Sequence, residues 1–206
     1  MNTQEIIETI RRRPDMVVVV AQLNQTLTEE QKKRQQFYAL IHEDVKAEFI
    51  NGEVIMQSPV KRKHWKIVNK LSAHLTMHVD QDQLGEVGSE KVLIQCTRND
   101  YEPDIVFFTK EKADIFTADQ MLFPPPDLVV EVLSESTRDR DYGIKFKDYA
   151  AHRLAEYWII DPDEQSVEQY ALREDNYQLY QKLVREGSLK SLVIAGFAIT
   201  LSEIFK

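Results

Sequence analysis

Two acidic residues stand where acids are costly. Glu131 lies inside Asp127-Leu128-Val129-Val130-Glu131-Val132-Leu133, a run apolar at successive positions. Such a strand is normally central and buried on both faces. An isolated carboxylate there costs several kcal/mol unless it is protonated, paired or bound to a cation. Asp104 follows Pro103 and opens a second apolar stretch, Ile105-Val106-Phe107-Phe108. Two carboxylates on neighbouring strands offer the oxygen ligands that a hard Mg²⁺ ion takes while it keeps some waters. Each residue also has a plainer reading. Glu131 can be a salt-bridged or protonated core acid, and Pro-Asp by itself is a common turn.

Basic groups flank this pair. A helix is expected over 138–152, and its advance of about 100° per residue gathers Tyr142, Phe146, Tyr149, Ala150 and Arg153 on one side. Lys145 sits at the edge of that stripe and can reach back to the sheet, whereas Lys147 points to solvent. Arg138, seven residues earlier on the same side, can bind a phosphate. Lys61-Arg62-Lys63-His64-Trp65-Lys66 leads into another helix, whose N-terminus is a natural phosphate site. Lys61 and Lys63 would supply charge there, and His64 would transfer a proton or hold a phosphate oxygen. Each of these also reads as a solvated surface cation. Glu48 and Glu53 share a hairpin face, so either is a further ligand candidate. His74 and His78 are spaced for a transition metal but lack a third ligand. Cys96 is the sole cysteine, and it reads as a buried apolar residue.

Several elements must position these groups. Asn51-Gly52 between the strand-like runs 45–50 and 53–57 is a two-residue hairpin turn, because both positions need positive φ. Ser58-Pro59 ends it, and Ile67, Val68, Leu71, Leu75 and Val79 mark a helix over 60–79. Strands follow at 90–96, 105–109, 128–133 and 156–160. The order strand, helix, strand across 128–160 predicts a crossover joining a parallel pair. With the antiparallel hairpin, that predicts a mixed sheet. A second hairpin, 166–172 with 177–183, precedes a short helix at 202–205. Residues 1–40 read as a helical extension with a weak apolar stripe, and 41–206 as one domain.

Bulk composition is that of a globular protein, 43% hydrophobic and 29% charged. A net charge of −8 excludes a generally basic nucleic-acid binder but not an enzyme with a local basic patch. Val17-Val18-Val19-Val20 is too short to span a bilayer. With no signal-peptide pattern and one cysteine, a cytoplasmic location is expected. No glycine-rich phosphate loop, nucleophile elbow or zinc-finger spacing is present.

The chain resembles the Uma-type endonuclease family, abundant in cyanobacteria and placed in the PD-(D/E)XK superfamily. The segments that carry the likeness run from about residue 28 to the end. They include Ala47-Glu48-Phe49-Ile50-Asn51-Gly52-Glu53, Ser58-Pro59 followed by His64, Pro103-Asp104-Ile105-Val106, and Asp141 with Lys145. The most specific is Pro125-Pro126-Asp127-Leu128-Val129-Val130-Glu131-Val132-Leu133-Ser134; Glu156-Tyr157-Trp158-Ile159-Ile160-Asp161-Pro162 and Gly196-Phe197 complete the set.

The resemblance implies an α/β restriction-endonuclease-like core, a mixed β-sheet flanked by helices. It implies Mg²⁺ or Mn²⁺ on Asp104 and Glu131, helped by the Val132 carbonyl and with Glu48 as a further member. The expected activity is phosphodiester hydrolysis in DNA by a homodimer. The superfamily's usual lysine lies two residues after the strand acid, where this chain has Leu133, and Lys145 on the following helix takes its place. Two rival readings stand beside this one, the first favoured by that departure and by the acidic charge. One is a non-catalytic nucleic-acid or protein binding module on a nuclease fold. The other is an oligomeric scaffold that uses the N-terminal helices and the C-terminal hairpin as contact surfaces.

Overall fold

The computed structural model describes residues 3–42 and 45–206. Positions 1, 2, 43 and 44 lie outside the described residues, so the expected extension is followed from Thr3. It comprises helices α1 (Thr3–Arg11) and α2 (Met16–Leu40). Next come strands β1 (Ala47–Ile50) and β2 (Glu53–Met56), helix α3 (Arg62–Asp82), and strands β3 (Gly85–Ser89), β4 (Leu93–Gln95), β5 (Asp100–Tyr101) and β6 (Ile105–Thr109). Helix α4 (Lys110–Ala113) leads to β7 (Leu122–Phe123), β8 (Leu128–Val132), α5 (Arg138–Asp141), α6 (Ile144–Ala151) and β9 (Glu156–Asp161). The chain ends in β10 (Ser166–Arg173), β11 (Asn176–Val184), β12 (Ser188–Lys190), β13 (Ala198–Thr200) and α7 (Leu201–Phe205).

A six-stranded sheet, ordered β11-β10-β9-β8-β6-β3, is the centre of the molecule. It is mixed because β8 and β9 run parallel while their other partners are antiparallel. One face carries α3, whose Ile67, Val68, Leu71, Leu75 and Val79 pack with Leu128, Val130, Val132 and Trp158. The other face carries α6 and a five-stranded sheet, ordered β2-β1-β5-β4-β7. Every residue of β8 is buried, as its unbroken apolar run requires.

Four details differ from expectation. The Asn51-Gly52 hairpin forms, with φ of 51° and 82°, but it belongs to the five-stranded sheet and not to the sheet holding the parallel pair. The helix expected over 138–152 is broken between α5 and α6 at Gly143, where a Cβ would lie 2.5 Å from the Asp139 carbonyl oxygen. Strand β3 carries no periodic signal because Gly85 and Gly88 dilute it. The strand expected at 90–96 is shorter, since Glu90 and Lys91 adopt positive φ.

Helix α2 is exposed over most of its length and docks only near its C-terminus. Phe37 is fully buried there against Phe49. Arg34 donates to Asp100 and to the carbonyls of Cys96, Thr97 and Asn99. Among the described residues, no helix is long and apolar enough to cross a membrane.

Candidate active site

The register of the central sheet brings the two acids together. Ile105 on β6 lies opposite Val130 on β8. One step further along, Asp104 falls beside Glu131, where cross-strand side chains are close neighbours. The ladder ends there, and Asp104 Oδ2 accepts the Val132 N–H at 2.8 Å in place of a backbone partner. Glu131 projects toward α6, on the same side of the sheet as Val129 and Leu133.

Lys145 comes in from α6 and is itself buried. Its Nζ lies 2.8 Å from Glu48 Oε1, 2.9 Å from Glu131 Oε1 and 3.5 Å from Asp141 Oδ1. One helical turn on, Tyr149 donates its hydroxyl to the same Glu131 oxygen at 2.9 Å. Glu48, in the middle of β1, is fully buried and accepts the Glu102 N–H through Oε1. His64, on the first turn of α3, places Nε2 at 3.1 Å from Asp104 Oδ2.

Acids outnumber cations in this interior. Glu48, Glu102, Asp104, Glu131 and Asp141 are all buried, and Lys145 is the buried cation among them. Burial pushes the Glu131 carboxyl well above its usual range; Lys145 opposes that, and Asp141, Asp104 and Glu48 add to it. Burial also raises Glu102, to about 7, against the pull of Lys46. Burial likewise raises Asp141, again opposed by Lys145. Desolvation works against the Lys145 ammonium, yet Glu131, Glu48 and Asp141 hold it well above the ordinary lysine range. Oε2 of Glu48 and Oε2 of Glu102 are buried without a hydrogen-bond partner. Buried carboxylate oxygens normally find a donor or a cation, so the all-oxygen donor set fits a hard divalent ion.

The acids open onto a cleft of about 620 Å³. Asp104, Glu131, Val132 and Lys145 form part of its lining, and Glu48 lies behind them. Lys61, Lys63, His64 and Arg138 line it too. Two of these cations already have acidic partners. Lys63 pairs with Asp163, and Arg138 with Asp161. Lys61 is exposed. Ser134, Ser136 and Thr137 form a hydroxyl cluster on the same rim. Glu53, which shares the hairpin face of Glu48, is exposed and outside this lining.

Glu102 and Tyr149 are the site residues that sequence reasoning did not pick out. Glu102 stands two before Asp104 across Pro103, and Tyr149 stands four after Lys145 on one helix face. His64 lies against Asp104 and leaves Nδ1 buried without a hydrogen-bond partner. On α3, His78 is taken up by the Ala195 carbonyl at 2.8 Å.

Residues 34–202 match the model of a family, Uma2, described as "Putative restriction endonuclease". Two proteins of Synechocystis sp. (strain ATCC 27184 / PCC 6803 / Kazusa), both named only as uncharacterized, sll1609 and slr1290, are each 30% identical to the chain. The first match covers 69% of this chain and 81% of that protein; the second covers 78% and 84%. A crystal structure titled as "a putative nuclease belonging to DUF820" from Anabaena variabilis ATCC 29413 superposes with a TM-score of 0.71. It covers 83% of this chain and 96% of that one at 18% identity, a likeness of fold.

Proposed function

The chain belongs to the Uma2 family, and from that premise we propose that it is a divalent-metal-dependent endonuclease acting on phosphodiester bonds of DNA. The observation that carries the proposal is the Glu48–Lys145–Glu131 cluster beside Asp104, set at a cleft with cationic side chains on its rim. Asp104, Glu131, the backbone carbonyl of Val132 and Glu48 would hold Mg²⁺ or Mn²⁺. Such an ion polarises a phosphodiester and lowers the pKa of a water bound to it.

The chain's own groups do the rest. Tyr149 and Lys145 fix Glu131 by donating to one of its oxygens, which leaves the other to face a ligand. Val132 N–H and His64 fix Asp104 in the same way. Burial works against the Lys145 ammonium, but Glu131, Glu48 and Asp141 hold its pKa well above the ordinary lysine range. Lys145 therefore brings a fixed positive charge to the place where negative charge develops on the phosphorus oxygens. Arg138, Lys61 and Lys63 hold flanking phosphates, with Arg138 and Lys63 exchanging Asp161 and Asp163 for the substrate.

The test is purified protein with plasmid DNA and Mg²⁺ or Mn²⁺, with EDTA controls. Asp104→Ala and Glu131→Ala each abolish cleavage while the far-UV circular dichroism stays that of the parent. If both variants cut as fast as the parent, these residues are not the catalytic ones. Calorimetric titration with Mn²⁺ separates this reading from a binding module, since no heat at millimolar metal supports the latter.

A further inference from the structure

One face of α2 is used twice. Its residues 16, 20, 23, 27, 30, 34 and 37 follow alternating steps of four and three, the spacing of a two-stranded helical seam. Over the C-terminal half this face meets the domain. Glu30 pairs with Arg98, Arg34 with Asp100, and Phe37 is fully buried. Over the N-terminal half the same face continues as Met16, Val20, Leu23 and Leu27. Val20, Leu23 and Leu27 are 43%, 52% and 49% exposed. The helix has 25 residues, about 37 Å at its rise of 1.5 Å per residue, so this half projects beyond the docked part.

We propose that this stripe is the interface with a second copy of the same chain, formed by α2 packing against the partner's α2 about a two-fold axis. Two observations choose a copy over another occupant. Residues 16–28 contain no charged side chain, in a chain that is 29% charged with a net charge of −8. Two copies meet there without like-charge repulsion, whereas a charged partner finds nothing to complement. A membrane surface is recognised by basic residues along the polar face of a helix. The stripe has none, and of the nearby arginines Arg12 and Arg13 pair with Glu8 and Asp15. The second observation is the seam itself. Apolar residues at alternating four and three steps match an identical helix, and an isologous pair uses the same patch on both subunits. The stripe also lies ahead of residue 34, where the family match begins.

Sedimentation equilibrium of the full chain at micromolar concentration tests the inference. The expected mass is twice the 24.1 kDa of one chain. The double variant Val20→Glu/Leu23→Glu weakens association by about 30-fold or more and keeps the parent's circular dichroism. Leu23→Ser, a milder change at an exposed position, shifts the equilibrium the same way. A parent that stays monomeric overturns the proposal, as does a dimer that these substitutions leave unchanged. So does a monomer that pellets with anionic phospholipid vesicles, which would assign the stripe to lipid.

Discussion

Lys145 is the residue on which the interior depends. It is the buried cation among Glu48, Glu131 and Asp141. Lys145→Met removes the charge and keeps the bulk, and the acids are left uncompensated. Breaking a buried ion pair from one side costs about 3–5 kcal/mol, so urea unfolding in EDTA should show a loss of that order. Cleavage should fall by roughly 100-fold or more, the usual effect of deleting one preorganised electrostatic group. Much of this was legible in the sequence. A carboxylate within an apolar strand announces itself, and the helix stripe placed Lys145 toward the sheet. Glu102 was not legible, and Tyr149 showed only as a member of the helix stripe, because nothing in local spacing brings either to the buried acids. Only the cross-strand register and the packing of α6 on the sheet bring them in.

Hairpin β10–β11 carries a titrating element away from the acids. Burial pushes Glu168 upward, but hydrogen bonds from Tyr170, Lys182 and Tyr142 more than offset this and hold its carboxyl below the ordinary value of 4.5. A depressed folded-state pKa gives stability that is full above the unfolded value and is lost as pH falls through the folded one. Glu168→Gln should therefore destabilise the protein at pH 7, and the gap from the parent should shrink below about pH 4.5. Paired urea titrations across pH check this. At the opposite edge of the sheet, Gly85 has φ of +147° and a Cβ there would sit 2.0 Å from the Phe108 carbonyl oxygen. Gly85→Ala should cost more than about 1 kcal/mol, seen as a lower denaturation midpoint and faster amide exchange in β3 and β6. Apolar periodicity gave strands β6, β8 and β9 and helix α3 closely. It missed β3 and the break at Gly143 for one reason: glycine acts through the space its missing side chain leaves, which pattern reading cannot see.

Over the whole molecule, charge is distributed against the proposed substrate except at the cleft. A chain of net charge −8 repels DNA in general, so the proposed binding calls on the cleft's own cations, Lys61, Lys63 and Arg138 among them. Replacing each by Gln should weaken binding to all sequences alike. Each should also reduce the slope of log K against log salt by about 0.9 per lost phosphate contact, measured by fluorescence anisotropy in Ca²⁺. The extension is tied to the domain chiefly through Arg34. Asp100 is fully buried, and burial raises its carboxyl against the opposing pull of that guanidinium. Arg34→Ala should expose α2 to limited proteolysis while the domain stays folded.

The ammonium comes from a helix and not from the strand that bears Glu131, so no short stretch of backbone fixes the gap between them. Aromatic rings hold it instead: Tyr149 and Phe146 of α6 pack edge-on against Tyr157 of β9. In the proposed enzyme, cleavage would thereby gauge how tightly one layer sits on the next. Loss of the proposed activity on warming should then precede loss of the sheet's circular dichroism, followed in parallel on one sample.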